Sequence, residues 1–319
     1  MDLPKYEELS RVIEESIRRS CEGKRVGVAC SGGLDSGLVS ALVKRYAEKV
    51  TLYTCGTKNS FDVKAGMDVA ERLNLPWVHC RLNKGDMHSL IREFVEATGD
   101  PDPFTVSYEM QLFTVCKTAE EDIIVSGQGS DEYFMGCAKF VGASPEDYEV
   151  LKRASVERLL NVSVPCELRI AEHFGKTMVY PYLDPSVTEE ISKLDPEELK
   201  PKDMDSRKSV LKEIAVQQGY GFLTNRPKKS SQYGSGTTDL IRGLAKEQNM
   251  MYAEYIASIR DEVTHGSIPL KRGAVINARI DPIVKEKAER ILLRKGKTPS
   301  QVIEELYRKI IDEDETDGS

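Results

Sequence analysis

Residues 25–36 read Arg25-Val26-Gly27-Val28-Ala29-Cys30-Ser31-Gly32-Gly33-Leu34-Asp35-Ser36, and this stretch decides the fold. Its first half is a short apolar run of strand length. Its second half is a turn with two glycines, after which Leu38, Val39, Leu42 and Val43 recur at helical spacing. A strand that feeds a Gly-rich turn and then a helix gathers backbone N–H groups and a helix N-terminus at one point, which is an anion site. Gly32 and Gly33 let the main chain approach a phosphate closely, and Ser31 and Ser36 add hydroxyl donors. Asp35 would repel that phosphate unless a divalent cation lies between them. The turn contains neither G-x-x-x-x-G-K-[ST] nor G-x-G-x-x-G.

Working outward, the unit repeats. Leu9, Val12, Ile13 and Ile17 give an amphipathic opening helix over 5–19. After strand 25–30 come strand 50–56, helix 62–73, strand 77–82, helices 85–98 and 108–120, and strand 122–126. Short strands without strict alternation, separated by helices, predict an α/β fold with a parallel sheet covered by helices on both faces. Ligands then bind beyond the C-terminal ends of the strands. Residues 145–265 read as mostly helical, interrupted by the extended segment Val179 to Asp184, and Lys228 to Gly236 reads as a polar, mobile loop.

The chain has 319 residues, twice the ~150-residue domain prior, so two domains are expected. No apolar run approaches the ~18 to 20 residues of a membrane span, and the N-terminus lacks a secretory pattern; no membrane association and a cytoplasmic location are expected. The seven cysteines are scattered without C-x-x-C, which predicts small buried thiols and not a disulfide framework or zinc site. The four histidines read as ordinary surface or core residues. The net charge of −7 argues against a general polyanion binder, but it is unevenly spread. Leu270 to Ile310 carries 11 Lys and Arg against 5 Asp and Glu, or +6, and the last nine residues carry five acids and no base.

A second Gly-rich cluster, Ser126-Gly127-Gln128-Gly129-Ser130-Asp131-Glu132, also follows a strand and also places a carboxylate after glycines. Alone it is weak; paired with the first it supplies the second acidic ligand that Mg-pyrophosphate needs. The first loop matches the PP-loop, S-G-G-x-D-S, of ATP pyrophosphatases of the adenine nucleotide alpha hydrolase-like fold. With both loops in place, residues 8–240 resemble the synthetase domain of the asparagine synthetase and β-lactam synthetase family. S-G-G-L-D-S matches letter for letter, and S-G-Q-G-S-D-E resembles S-G-E-G-[AS]-D-E. Pro181-Tyr182-Leu183-Asp184 resembles P-F-L-D, Lys208 to Lys212 resembles K-x-x-L-R, and Arg226-Pro227-Lys228 resembles an R-x-K loop.

The resemblance implies a ligase with ATP and Mg²⁺ as cofactors. A carboxylate attacks the α-phosphate, pyrophosphate leaves, and a nitrogen nucleophile displaces AMP. It implies that Ser31, Gly32, Gly33, Leu34, Asp35, Ser36 and Gly127 hold ATP or pyrophosphate, and that Asp35 and Asp131 hold Mg²⁺. Lys228 would stabilise the growing phosphate charge, Asp62 matches an acidic position after the second strand, and Leu52 to Gly56 would line the adenine site.

Two departures qualify this. With Asp2 after Met1 and only about 24 residues before the first strand, the chain is expected to lack its own glutaminase. It would need free ammonia, a partner glutaminase or an amine-bearing substrate. Gln128 stands where the family has a glutamate proposed to handle the nucleophile's proton, and an amide is no general base near neutral pH. Asparagine itself is therefore discounted as product. Val179 replaces an arginine, and Met135-Gly136-Cys137 replaces G-G-Y.

Beyond a linker at 266–273, Ala274 to Ile280 alternates as a strand with one buried face. A helix over 282–295 starts at Asp281-Pro282, and one over 298–312 starts with the capping box Thr298 to Gln301. This 274–313 segment resembles the ribbon-helix-helix module of RelB-type antitoxins. The resemblance implies a homodimer that pairs strands, with Asn277 and Arg279 on one face suited to DNA base edges. The organisation expected is an N-terminal helix (1–20), a nucleotide-binding core (21–145), a helical half (146–265), the linker, the module and an acidic tail (314–319). Against the ligase stand two other readings: a DNA-binding regulator with a nucleotide-sensing body, and a PP-loop enzyme that modifies nucleic acid.

Overall fold

The structure, a computed structural model, describes residues 5–99, 102–226, 231–265 and 280–294, together with 299, 302, 303, 305–307 and 309. Five strands form one parallel sheet: β1 (Arg25–Ala29), β2 (Lys49–Gly56), β3 (Trp77–Arg81), β4 (Ile123–Ser126) and β5 (Thr177–Val179), in the order β3-β2-β1-β4-β5. Val28 lies opposite Leu52 on one side and Val125 on the other, which places β1 at the centre.

Helices cover both faces, as expected. On one face α1 (Glu7–Cys21), α2 (Leu34–Val43) and α3 (Phe61–Leu73) bury Ile13, Leu42 and Val69 against Val26, Val28 and Leu52. On the other, α4 (Lys84–Thr98) and α5 (Pro103–Thr118) bury Phe94 and Phe113 against Tyr53, Cys55 and Ile124. The two-residue period of a strand sends its neighbours to opposite cores, and that division is seen at Leu52 and Tyr53 and at Ile124 and Val125. None of the seven cysteines forms a disulfide, and six are buried.

α5 begins five residues before the expected helix. Asp102 accepts hydrogen bonds from the N–H groups of Phe104 (2.8 Å) and Thr105 (3.2 Å), and Pro103 occupies the first turn. Asp102-Pro103 is the same helix-start dipeptide as Asp281-Pro282, although the apolar spacing alone placed the start at 108.

The second half completes the sheet. After the four-residue α6 (Ser130–Tyr133), α7 (Pro145–Arg158) runs into a π turn at Leu159–Ser163 and α8 (Val164–His173). β5 then pairs with β4, so part of the region read as helical with an extended interruption is an edge strand. Three residues are too few to show a period, and only pairing identifies them. Next come α9 (Pro185–Ser192), α10 (Pro196–Leu199), α11 (Ser209–Gln217), α12 (Ser231–Gly234), α13 (Thr237–Glu247) and α14 (Tyr252–His265).

The expected mobile loop is corrected at α12. Gln232 and Ser235 are buried, and the Ser235 carbonyl accepts from the Thr57 N–H at 2.9 Å. The Ser235 hydroxyl joins Thr237 (2.8 Å) and Gln111 (3.0 Å), so these polar residues satisfy one another inside the fold.

α15 (Pro282–Arg294) is the first helix expected after the linker. Asp281 caps it, accepting from Ile283 N (2.8 Å) and Val284 N (3.1 Å). Its Glu286 pairs with Lys139 at 2.8 Å, and Ile283 packs on the body. The expected strand through residue 279 and the capping box at 298–301 lie outside the described residues, apart from Pro299, which is helical.

Candidate active site

β1 has β2 on one side and β4 on the other, so the connections leaving β1 and β4 diverge at the sheet's switch point. The loop 31–36 follows β1, and the loop 126–132 follows β4. They touch: a Cβ added to Gly127 would lie 3.1 Å from Ser36 N and 3.2 Å from Asp35 Cβ. Gly32, at φ +78°, packs its backbone on Ala65 and Gly66 of α3, where a side chain has neither space nor an easy conformation. α2 starts at Gly33 without a side-chain cap. Its first-turn N–H groups, the orphans of any helix start, therefore face the loop without competition from a capping oxygen. The Ser36 hydroxyl accepts from Ser31 N at 3.2 Å, and the buried Tyr182 donates its hydroxyl to the Asp35 carbonyl at 3.2 Å.

A cleft of about 1130 Å³ opens over these loops, lined by Ser31, Gly33, Leu34, Asp35, Ser36, Asp62, Gly127, Gln128, Asp131 and Lys208. That is large enough for a nucleotide and a second substrate together. Asp35 and Asp131 converge on one cation, the Lys208 ammonium, which pairs with Asp35 and lies 2.6 Å from Asp131. Lys208 is only 4% exposed. Burial alone would push its ammonium down, but the charges of Asp131 and Asp35 outweigh that and hold it above the ordinary lysine value.

The two acids also suit magnesium. They already share one cation, and Asp35 Oδ1 is buried without a hydrogen-bond partner among the described residues. Those residues contain no group of three or more His, Cys, Asp or Glu poised for a metal. Magnesium fits such a site, because it takes one or two carboxylates and completes its shell with phosphates and water.

Arg226 closes the PP-loop from the far side. Its guanidinium donates to the carbonyls of Gly32 (3.1 Å) and Ala65 (3.2 Å) and pairs with Asp68. These bonds tie the first loop to α3.

Behind the loops lies a smaller cavity of about 130 Å³, bordered by Ser31, Asp62, Gln111, Gln128, Glu109 and Glu167. Gln128 Nε2 donates to Glu167 Oε1 at 2.6 Å. Glu167 and Glu109 are 2% and 3% exposed. Burial pushes the Glu167 carboxyl up to about 7, against the nearby Tyr180 hydroxyl and the Gln128 hydrogen bond, which favour its ionised form. Burial and the nearby Glu167 charge raise Glu109 well above the usual carboxylate range.

The structure brings Ser31, Gly33, Leu34, Asp35 and Ser36 of the first loop to one cleft with Gly127, Gln128, Asp131 and Asp62, while Gly32 packs on α3 and does not line it. Asp62 is buried at the start of α3, with Gly234 packed on its carboxylate. Lys228, Asn277 and Arg279 lie outside the described residues. Leu52 to Gly56, the expected adenine-lining stretch, is a buried part of β2, of which Tyr53 and Cys55 border the smaller cavity. Lys208, Glu109 and Glu167 were missed as site residues. Lys208 stood inside a quoted motif, whereas no motif in the sequence marks Glu109 or Glu167.

The sequence profile of the asparagine synthase family matches residues 8–160, which include both Gly-rich loops. A candidate asparagine synthetase [glutamine-hydrolyzing] of Methanocaldococcus jannaschii is 28% identical over 288 residues, covering 76% of this chain and 52% of that protein. Human asparagine synthetase [glutamine-hydrolyzing] is 28% identical over 196 residues, covering 58% of this chain and 35% of its own length. The chain therefore spans about half or less of the length of these relatives. Among solved structures, an NMN synthetase of Francisella tularensis aligns with 12% identity and a TM-score of 0.38, covering 88% of this chain and all of that one. An NH3-dependent NAD synthetase of Campylobacter jejuni aligns with 14% identity and a TM-score of 0.31, covering 70% and 98%.

Proposed function

We propose that this protein is an ATP-dependent, AMP-forming ligase that adenylates a carboxylate for attack by ammonia or an amine. The observation that carries the reading is the convergence of Asp35 and Asp131, from two touching strand-end loops, on one cation at the floor of a nucleotide-sized cleft. The family profile over residues 8–160 supports it.

In this reading the N–H groups and hydroxyls of residues 31–36 bind the departing pyrophosphate. Asp35 and Asp131 hold Mg²⁺, which when bound would neutralise charge on the phosphates. A carboxylate oxygen of the substrate attacks the α-phosphorus while the bond to the β-phosphate breaks, and Lys228 stabilises the growing negative charge. The nitrogen nucleophile then displaces AMP and gives up a proton. Gln128 cannot take that proton, but the carboxyl it holds can: Glu167, pushed up to about 7, is poised as a base near neutral pH. Nitrogen comes from free ammonia, a separate glutaminase or an amine-bearing substrate.

The test is carboxylate-dependent ATP–pyrophosphate exchange. Exchange requiring Mg²⁺ and falling by about 10²-fold or more in Asp35→Asn is expected. A broad carboxylate panel that gives no exchange with the folded wild type sinks the reading.

We also propose a homodimer formed through the C-terminal segment. Ile280, Val284, Ile291, Ile303, Leu306 and Tyr307 are exposed there, more than single scattered surface residues would account for. The +6 charge of residues 270–310 favours a second reading, DNA binding through Asn277 and Arg279. Genomic selection that enriches no sequence, with unchanged DNA retention in Arg279→Ala, removes it.

A further inference from the structure

We propose that the Lys208 ammonium is a built-in counter-ion that holds the divalent-cation position of the free protein, so that magnesium enters only together with the nucleotide's phosphates. Lys208 immediately precedes α11, whose Val210, Leu211 and Ile214 are buried and anchor it. Its backbone sits in the left-handed region, at φ 57° and ψ 33°, a costly place for a lysine. From there the side chain reaches both loops at once: it contacts Asp35, Asp131 (2.6 Å) and the Ser130 hydroxyl (3.0 Å).

Charge decides the consequence. Two carboxylates pressed together need a cation, and Lys208 supplies one charge where they offer two. A bare divalent ion brought between the same oxygens must either displace the ammonium or sit beside it. Displacement leaves a buried lysine without a charged partner, and coexistence sets three positive charges against two negative ones. A metal that arrives on a nucleotide brings its own anions, so the displaced ammonium regains a partner. The site thereby discriminates against metal without nucleotide, and it stays assembled when neither is bound.

The inference rests on Asp35 and Asp131 being the cation's ligands and not on the ligation chemistry, so an absence of pyrophosphate exchange leaves it standing. The experiment is a titration of the full-length protein with Mn²⁺, without nucleotide, reading free Mn²⁺ by electron paramagnetic resonance. Lys208→Met is expected to bind Mn²⁺ at least about tenfold more tightly than the wild type, and the gain is expected to vanish when Asp35→Asn is added. If Lys208→Met does not fold in metal-free buffer, the proposal requires millimolar Mn²⁺ to restore the fold, read by far-ultraviolet circular dichroism. A folded Lys208→Met with wild-type Mn²⁺ affinity overturns the proposal. So does a variant that Mn²⁺ fails to rescue, because compensation of the two carboxylates is all that is asked of Lys208.

Discussion

Glu167 is enclosed by Glu109 of α5, the Gln128 amide, the Tyr180 hydroxyl and, further off, the Glu132 charge. Its carboxyl is pushed up to about 7, so the folded protein retains a proton that the unfolded chain releases near its ordinary value of ~4.3. The folded state binds more protons between those values, and stability must fall as pH rises through that window. The loss belongs to the coupled Glu167–Glu109 pair and is on the order of a few kcal/mol. Glu167→Gln should flatten the decline of the urea midpoint between pH 5 and 8; an unchanged slope would show that the buried pair does not titrate there. The same proton sets a catalytic expectation. The nitrogen step should slow as pH drops below about 7, and Glu167→Gln should lose that dependence together with about 10²-fold in rate, while pyrophosphate exchange persists.

Two glycines govern how the elements meet. Gly32 adopts φ +78° against α3, so Gly32→Ala is expected to cost at least about 1–3 kcal/mol in urea denaturation from backbone strain, and more from the methyl's clash with the Ala65 and Gly66 backbone. Gly127 is different, because its backbone is not confined to the left-handed region and an added methyl would only tighten against Ser36 N and Asp35. Gly127→Ala should leave the melting temperature close to that of the wild type yet weaken ATP binding, measured by calorimetry, by spreading the two loops. If both variants lose stability equally, the contact between loops is structural and not tuned for ligand. Met135, where the resembled family has glycine, shows the converse: it sits at φ 54° and is fully buried, so its packing offsets a strained backbone.

At the scale of the whole molecule the question is what covers the C-terminal apolar residues. Glu286 and Ile283 of α15 face the body, while Val284 and Ile291 stay exposed. Introducing Ile303→Glu with Leu306→Glu into the full chain should convert a dimer into a monomer in sedimentation analysis. The effect on pyrophosphate exchange should be slight, because the cleft is lined by body residues. A chain already monomeric at tens of micromolar would refute the dimer.

The amino-acid sequence by itself determined the α/β class, the helices on both sheet faces and both Gly-rich loops with Asp35 and Asp131. Each is written in local order: apolar runs of strand length, turn glycines and helical spacing act over a few residues. It also marked Asp62 and the substitution at Gln128. Tertiary structure alone decided what depends on distant segments. β5 exists because β4 offers an edge. The segment 231–236 is ordered because Thr57 and Gln111 meet its polar groups. Lys208 reaches two acids 173 and 77 residues earlier in the chain, and Glu109 and Glu167 become a buried pair when α5 packs on α8. A charge in a sequence looks solvated by default. Only the fold removes the water, and with it the reason to regard that charge as ordinary.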